Sequence, residues 1–129
     1  MARQKGTNPT DRELEILRIL WEHGPSTVRR VHEIVSEGSD TGYTTSLKFM
    51  QIMLEKGLVT RDTSTRTHIY FAVAEEANVQ RQLAADLVNK AFGGSAQKLV
   101  MQALEEKQVP QRELVRIQRM LDELEGAAK

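Results

Sequence analysis

TTSLKFMQIMLEKGLVTRDTSTRTHIYFAV, residues 44–73, decides the fold. Its first part has helical periodicity. The spacing predicts a helix from about Thr44 to Lys56, with Leu47 or Met50 and Met53 or Leu54 on its buried side. Gly57 follows directly and suits the left-handed residue that ends a helix. The pattern then changes period. Leu58–Arg61 reads as a short strand, Asp62–Arg66 as a polar tip, and Thr67–Val73 as a returning strand rich in β-branched and aromatic residues.

Upstream lie two more helical stretches. Thr10 with Glu13 three positions on is a capping box, and Asp11–His23 carries Leu14, Ile16, Leu17, Leu20 and Trp21 at helical spacing. Gly24-Pro25 ends that helix. Ser26 or Thr27 caps a second helix running to about Glu37, striped by Val28, Val31, Ile34 and Val35, and Gly38–Gly42 is a turn. Residues 1–9 are expected to be disordered. Three short helices followed by a two-stranded hairpin is the order of a winged helix, a helix-turn-helix variant. In that arrangement the first helix and the hairpin brace the other two, and the third helix offers one face to a DNA major groove about 12 Å wide.

The outward face of the third helix holds Thr44, Thr45, Lys48 and Gln51 or Ile52. Hydroxyls reach phosphate or base edges, the lysine amine suits guanine or phosphate, and the glutamine amide suits adenine. Ile52 either meets a thymine methyl or packs inward. Tyr43, just before the helix, can hydrogen-bond phosphate. On the hairpin, Arg61, Arg66, Thr67 and His68 flank the tip, where an arginine reaches phosphate or the minor groove. Arg29 and Arg30 in the second helix could touch the DNA backbone too, but they are read, like His32 and Glu33, as solvent-facing residues.

Downstream the chain is helical again. Glu75–Phe92 shows Val79, Leu83, Leu87, Val88 and Ala91; Gly93-Gly94 breaks it; Ser95–Lys107 shows Leu99, Val100, Ala103 and Leu104. Pro110 opens a last helix with Leu114, Ile117, Leu121 and Leu124 on one face and charges opposite. The expected fold is mainly α: a winged helix-turn-helix DNA-binding domain over residues 1–74, then a three-helix dimerisation region over residues 75–129. The aliphatic stripes of the second part are too extensive for so small a unit to bury alone. Leu83, Leu87, Leu99, Leu104, Ile117, Leu121 and Leu124 are therefore the candidate interface of a homodimer. A two-fold dimer sets its recognition helices about 34 Å apart or a multiple of it, matching a palindromic operator.

The totals narrow the function classes. The 18 basic and 18 acidic residues cancel, so any DNA-binding surface has to come from local placement of charge. The chain has no cysteine, which removes disulfides, thiolate metal sites and cysteine nucleophiles, and suits a cytoplasmic location. The N-terminus lacks the apolar core of a signal peptide, and no apolar run approaches membrane-spanning length. His23, His32 and His68 fall in three separate elements with no metal-ligand spacing, and no nucleophile elbow or phosphate loop occurs. No enzyme, metal or cofactor is expected. Two other readings stay open: a winged helix that binds protein, and a ligand-responsive regulator.

Particular residues also resemble a known family. Pro9–Leu17, Leu20-Trp21, His23–Val28, Gly42–Thr45 with Met50, Glu55–Val59, and Gly93-Gly94-Ser95 with Leu99-Val100 look like the penicillinase-repressor family of winged-helix transcriptional regulators (BlaI/MecI/CopY type). The resemblance spans about residues 8–125. It implies a homodimeric repressor whose winged helices bind a palindromic operator and whose C-terminal helices interlock. It further implies release by a membrane-bound sensor protease system, with a cleavage region at Gln102-Ala103. There this chain departs from the family's Asn-Phe bond. It also lacks the C-terminal cysteine cluster of the copper-responsive branch.

Overall fold

A computed structural model describes residues 8–35, 42–106 and 108–128. The first helix, α1 (Asp11–His23), starts where Thr10 turns extended; its hydroxyl accepts from the Glu13 amide at 3.3 Å, and the Glu13 carboxylate accepts from the Thr10 amide at 3.0 Å. This is the expected capping box. At the other end Gly24 donates its amide to the Leu20 carbonyl, and the chain turns through Pro25. In α2 (Val28–Val35) the cap is Thr27, whose hydroxyl accepts from the Arg30 amide at 3.1 Å. The expected end of α2 near Glu37 and the turn before Gly42 lie outside the described residues.

The third helix, α3 (Tyr43–Lys56), begins one residue earlier than the periodicity suggested and stops as expected at Gly57. Gly57 sits at φ 81°, ψ 13°, a left-handed conformation that costs a residue with a Cβ but not glycine. Its amide donates to Leu54, and the Leu58 amide returns to Met53 at 3.0 Å. Those two bonds satisfy carbonyls a helix end leaves unpaired, while Leu58 and Met53 are both buried beside them.

The hairpin consists of β1 (Val59–Asp62) and β2 (Ile69–Ala72), antiparallel, with Val59 opposite Ala72 and Asp62 opposite Ile69. The alternation of a strand puts Val59, Arg61, Tyr70 and Ala72 on one face. Two features tie the hairpin to the helices. Ser26 and Tyr70 exchange both backbone bonds, at 3.0 and 2.8 Å, which adds a one-residue bridge to the sheet. The Leu58 carbonyl accepts from both Val73 and Ala74, and the Trp21 indole donates to the Ala74 carbonyl at 2.9 Å.

One core holds these pieces together. Ile16, Leu17, Ile19 and Leu20 of α1 meet Val28, Val31 and Val35 of α2, Met50 and Met53 of α3, and Leu58, Val59 and Tyr70. It is aliphatic apart from Tyr70, as the scarcity of aromatics required. Glu13 is buried with it, its carboxylate 2.8 Å from the Lys56 ammonium. The order of helix, helix, helix and hairpin around this core is the winged helix.

Three further helices follow: α4 (Glu76–Ala91), α5 (Ala96–Glu106) and α6 (Gln111–Ala128). Gly93 and Gly94, both at positive φ, turn the chain between α4 and α5, and the Ser95 hydroxyl caps α5 by accepting from the Lys98 amide. Compactness divides the described residues into two units, through Ala85 and from Asp86, so the first turns of α4 group with the winged helix. Within the second unit no described residue of these helices is buried, and Leu87, Val100, Met101, Leu114, Met120, Leu121 and Leu124 are exposed. No helix among the described residues is long and apolar enough to cross a membrane.

Candidate nucleic-acid interface

The buried side of α3 is set by Ser46, Met50 and Met53, with Leu47 and Leu54 half-buried beside them. The residues opposite are necessarily outward. Thr44, Thr45, Lys48 and Gln51 are all exposed, as is Glu55 one turn after Gln51. Ile52 is half-buried.

Beside this face lies a groove of about 450 Å³. Tyr43, Leu47 and Gln51 form its α3 wall, Thr27, Val28 and Arg29 its α2 wall, and Arg61, Arg66, Thr67, His68 and Tyr70 its wing wall. Of the residues expected to touch DNA, the fold therefore brings Tyr43, Gln51, Arg61, Arg66 and Thr67 into one concavity. Thr44, Thr45 and Lys48 stand on the adjoining outer face of α3. Among the described residues the lining contains three arginines and a histidine but no carboxylate, in a chain whose formal net charge is zero. A concave wall of one sign concentrates the field and attracts a polyanion.

Several of these groups are held in place. Arg61 donates from Nη1 to the Tyr70 hydroxyl at 3.3 Å, and Tyr70 is 1% exposed. The Arg29 guanidinium lies 5.8 Å from the centre of the Tyr43 ring, a cation–π distance. His32 meets the same ring edge-on at 5.5 Å, and its Nδ1 is 3.0 Å from the hydroxyl of the buried Ser46. His32, half-buried, thus departs from the solvent-facing role expected of it, whereas Arg29 is exposed as expected but lies against the Tyr43 ring. Neither contact is visible in the spacing of α2, because the partner of each sits on α3. At the wing tip the Ser64 amide donates to the Asp62 carboxylate at 2.9 Å, which holds the Asp62 pKa below the usual aspartate range.

The remaining candidates lie elsewhere. Leu83, Leu99, Leu104 and Ile117 are half-buried, and Leu87, Leu121 and Leu124 are exposed. Gln102 and Ala103 are exposed inside α5. Among the described residues no group of three or more His, Asp or Glu is placed to hold a metal ion.

The family model for the penicillinase repressor matches residues 9–123. The chain belongs to the penicillinase repressor family. Among its relatives, the transcriptional regulator BlaI of Mycobacterium tuberculosis is 32% identical over 124 residues, covering 95% of this chain and 88% of the relative. The penicillinase repressor of Bacillus licheniformis is 25% identical, covering 93% and 94% of the two chains. The methicillin resistance regulatory protein MecI of Staphylococcus aureus is 20% identical, covering 85% and 89%. The family and these relatives are transcriptional regulators and not enzymes.

Proposed function

We propose that this chain is a cytoplasmic, sequence-specific DNA-binding repressor that acts as a homodimer on a palindromic operator and is released by a sensor-linked signal. The observation that carries the DNA part is the groove between α3 and the wing, lined by arginines and a histidine with no carboxylate among the described residues. It adjoins the exposed Thr44, Thr45, Lys48 and Gln51, whose chemistry suits base edges and phosphates. In this reading residues 1–74 are the DNA-binding domain and residues 75–129 the dimerisation domain.

The exposed apolar residues of α4 to α6 support the homodimer, since a second copy supplies the cover that one copy lacks. Linking two weakly basic half-site readers multiplies their affinities through effective concentration. Release through a membrane-bound sensor protease system is drawn from the family, with Gln102-Ala103 as its cleavage region. Those residues lie within a continuous helix, so a protease acts there only after α5 opens locally.

Genomic fragments captured by the purified protein, followed by a salt titration on the best site, test the proposal. A short pseudo-palindrome bound by two copies with a steep negative salt slope supports it. Capture no better than sheared background at low salt refutes it and favours a protein-binding winged helix.

A further inference from the structure

The groove holds two arginines of one kind and a third of another. Arg61, on the wing, is hydrogen-bonded to the hydroxyl of Tyr70. Tyr70 is itself anchored: its side chain is in the core, and its backbone exchanges two bonds with Ser26. Arg29, on α2, lies over the ring of Tyr43, which His32 braces from its edge. Arg66, at the wing tip, is exposed and has no hydrogen bond or ion pair among the described residues.

An arginine loses much side-chain freedom when it grips a ligand, and that loss weakens binding. An arginine already held by a tyrosine has lost part of it beforehand. Both fixed guanidiniums keep donors to spare, since one bond or a stacked face leaves most of the five N–H groups unused. Their planar forks match phosphate oxygens.

We infer that Arg29 and Arg61 are preorganised phosphate contacts, with Tyr43 and Tyr70 as the residues that position them, whereas Arg66 is an adaptable contact. The ligand is the sugar-phosphate backbone of duplex DNA. The inference rests on the DNA-binding reading and adds to it Arg29, a contact from α2, and a role for the buried phenol of Tyr70.

The test uses the full chain and a fluorescently labelled mixed-sequence duplex of roughly 40 base pairs, since phosphate contacts are independent of sequence. Anisotropy is read across a salt series. R29A and R61A each lower the slope of log K against log salt by about 0.9 per protomer bound. R30A, altered next to Arg29 but outside the groove, leaves the slope unchanged. Y70F weakens binding about three- to ten-fold at fixed salt, and the R61A/Y70F double variant binds like R61A alone. A purely structural role for Tyr70 predicts instead that the two effects add. Thermal melts of each variant identify any that fail to fold, and Arg61→Lys, which keeps the charge, is then read for affinity in place of R61A. Additive effects, an unchanged slope for R29A, or an equal loss for R30A overturns the inference while leaving DNA binding intact. Wild-type protein with no salt-dependent binding overturns the DNA reading and this inference with it.

Discussion

Replacing Lys56 by methionine isolates a charge pair that reaches the winged-helix core. Glu13 is 3% exposed, and its Oε1 lies 2.8 Å from Lys56 Nζ and 3.0 Å from the Thr10 amide. At an effective dielectric of about 20, two charges at that separation attract by roughly 6 kcal/mol. Desolvation of the carboxylate offsets much of this, and Lys56, 29% exposed, keeps part of its hydration. Lys56→Met leaves a buried carboxylate still accepting from the Thr10 amide, so the expected loss is about 2–3 kcal/mol. Glu13→Gln keeps an acceptor for that amide and frees Lys56 to reach water, so its expected loss is smaller, about 1–2 kcal/mol. The double variant should fall short of the sum of the two by about 1 kcal/mol or more. Urea unfolding followed by the fluorescence of Trp21, the single tryptophan, reports these costs. Protein concentration is held constant, because in the proposed homodimer apparent stability depends on it. Costs that add to within about 0.5 kcal/mol refute the reasoning.

Leu17→Ala opens a cavity at a position with no exposure, and the same urea assay should show a loss of about 2–5 kcal/mol. Asp62 titrates below its ordinary range, so its contribution to the wing tip is complete above about pH 4 and is lost as pH falls through the lowered folded value. An NMR titration of the Asp62 carboxyl should show the depressed midpoint, and Ser64→Pro, which removes the donating amide, should raise it toward the ordinary value. Leu121 and Leu124 are 50% and 60% exposed, so Leu121→Asp with Leu124→Asp should shift sedimentation from dimer toward monomer while leaving the melting of the winged helix in place. Unchanged sedimentation would move the interface to another surface.

Much of this fold is written in local signals. Thr10 and Glu13 announce α1, Gly57 ends α3, and the change of period after it marks the hairpin. Those features act over a few residues, so a sequence displays them. The groove is different. Helical spacing groups Thr44, Lys48 and Gln51 on one outward face, but the wing sits beside one edge of that face, toward Tyr43, Leu47 and Gln51. That choice is made by Ser26 bridging Tyr70 and by Leu58 accepting from Val73 and Ala74, bonds between residues far apart in the chain. Arg29 and His32 acquire their roles in the same way. A periodic stripe tells which side of α2 faces inward, and both residues gain partners from the neighbouring α3.

The zero net charge of a chain whose arginines gather in one groove has a consequence for how such a molecule searches. With no net charge, its field at a distance is that of a dipole and fades faster than that of a basic protein. A duplex further away than a Debye length, about 8 Å at physiological salt, scarcely attracts it. Capture then depends on the rare approach that presents the arginine-lined side first. Most collisions with bulk genomic DNA end without residence. A larger share of the copies stays free, and occupancy of a true site follows the concentration of the protein more directly.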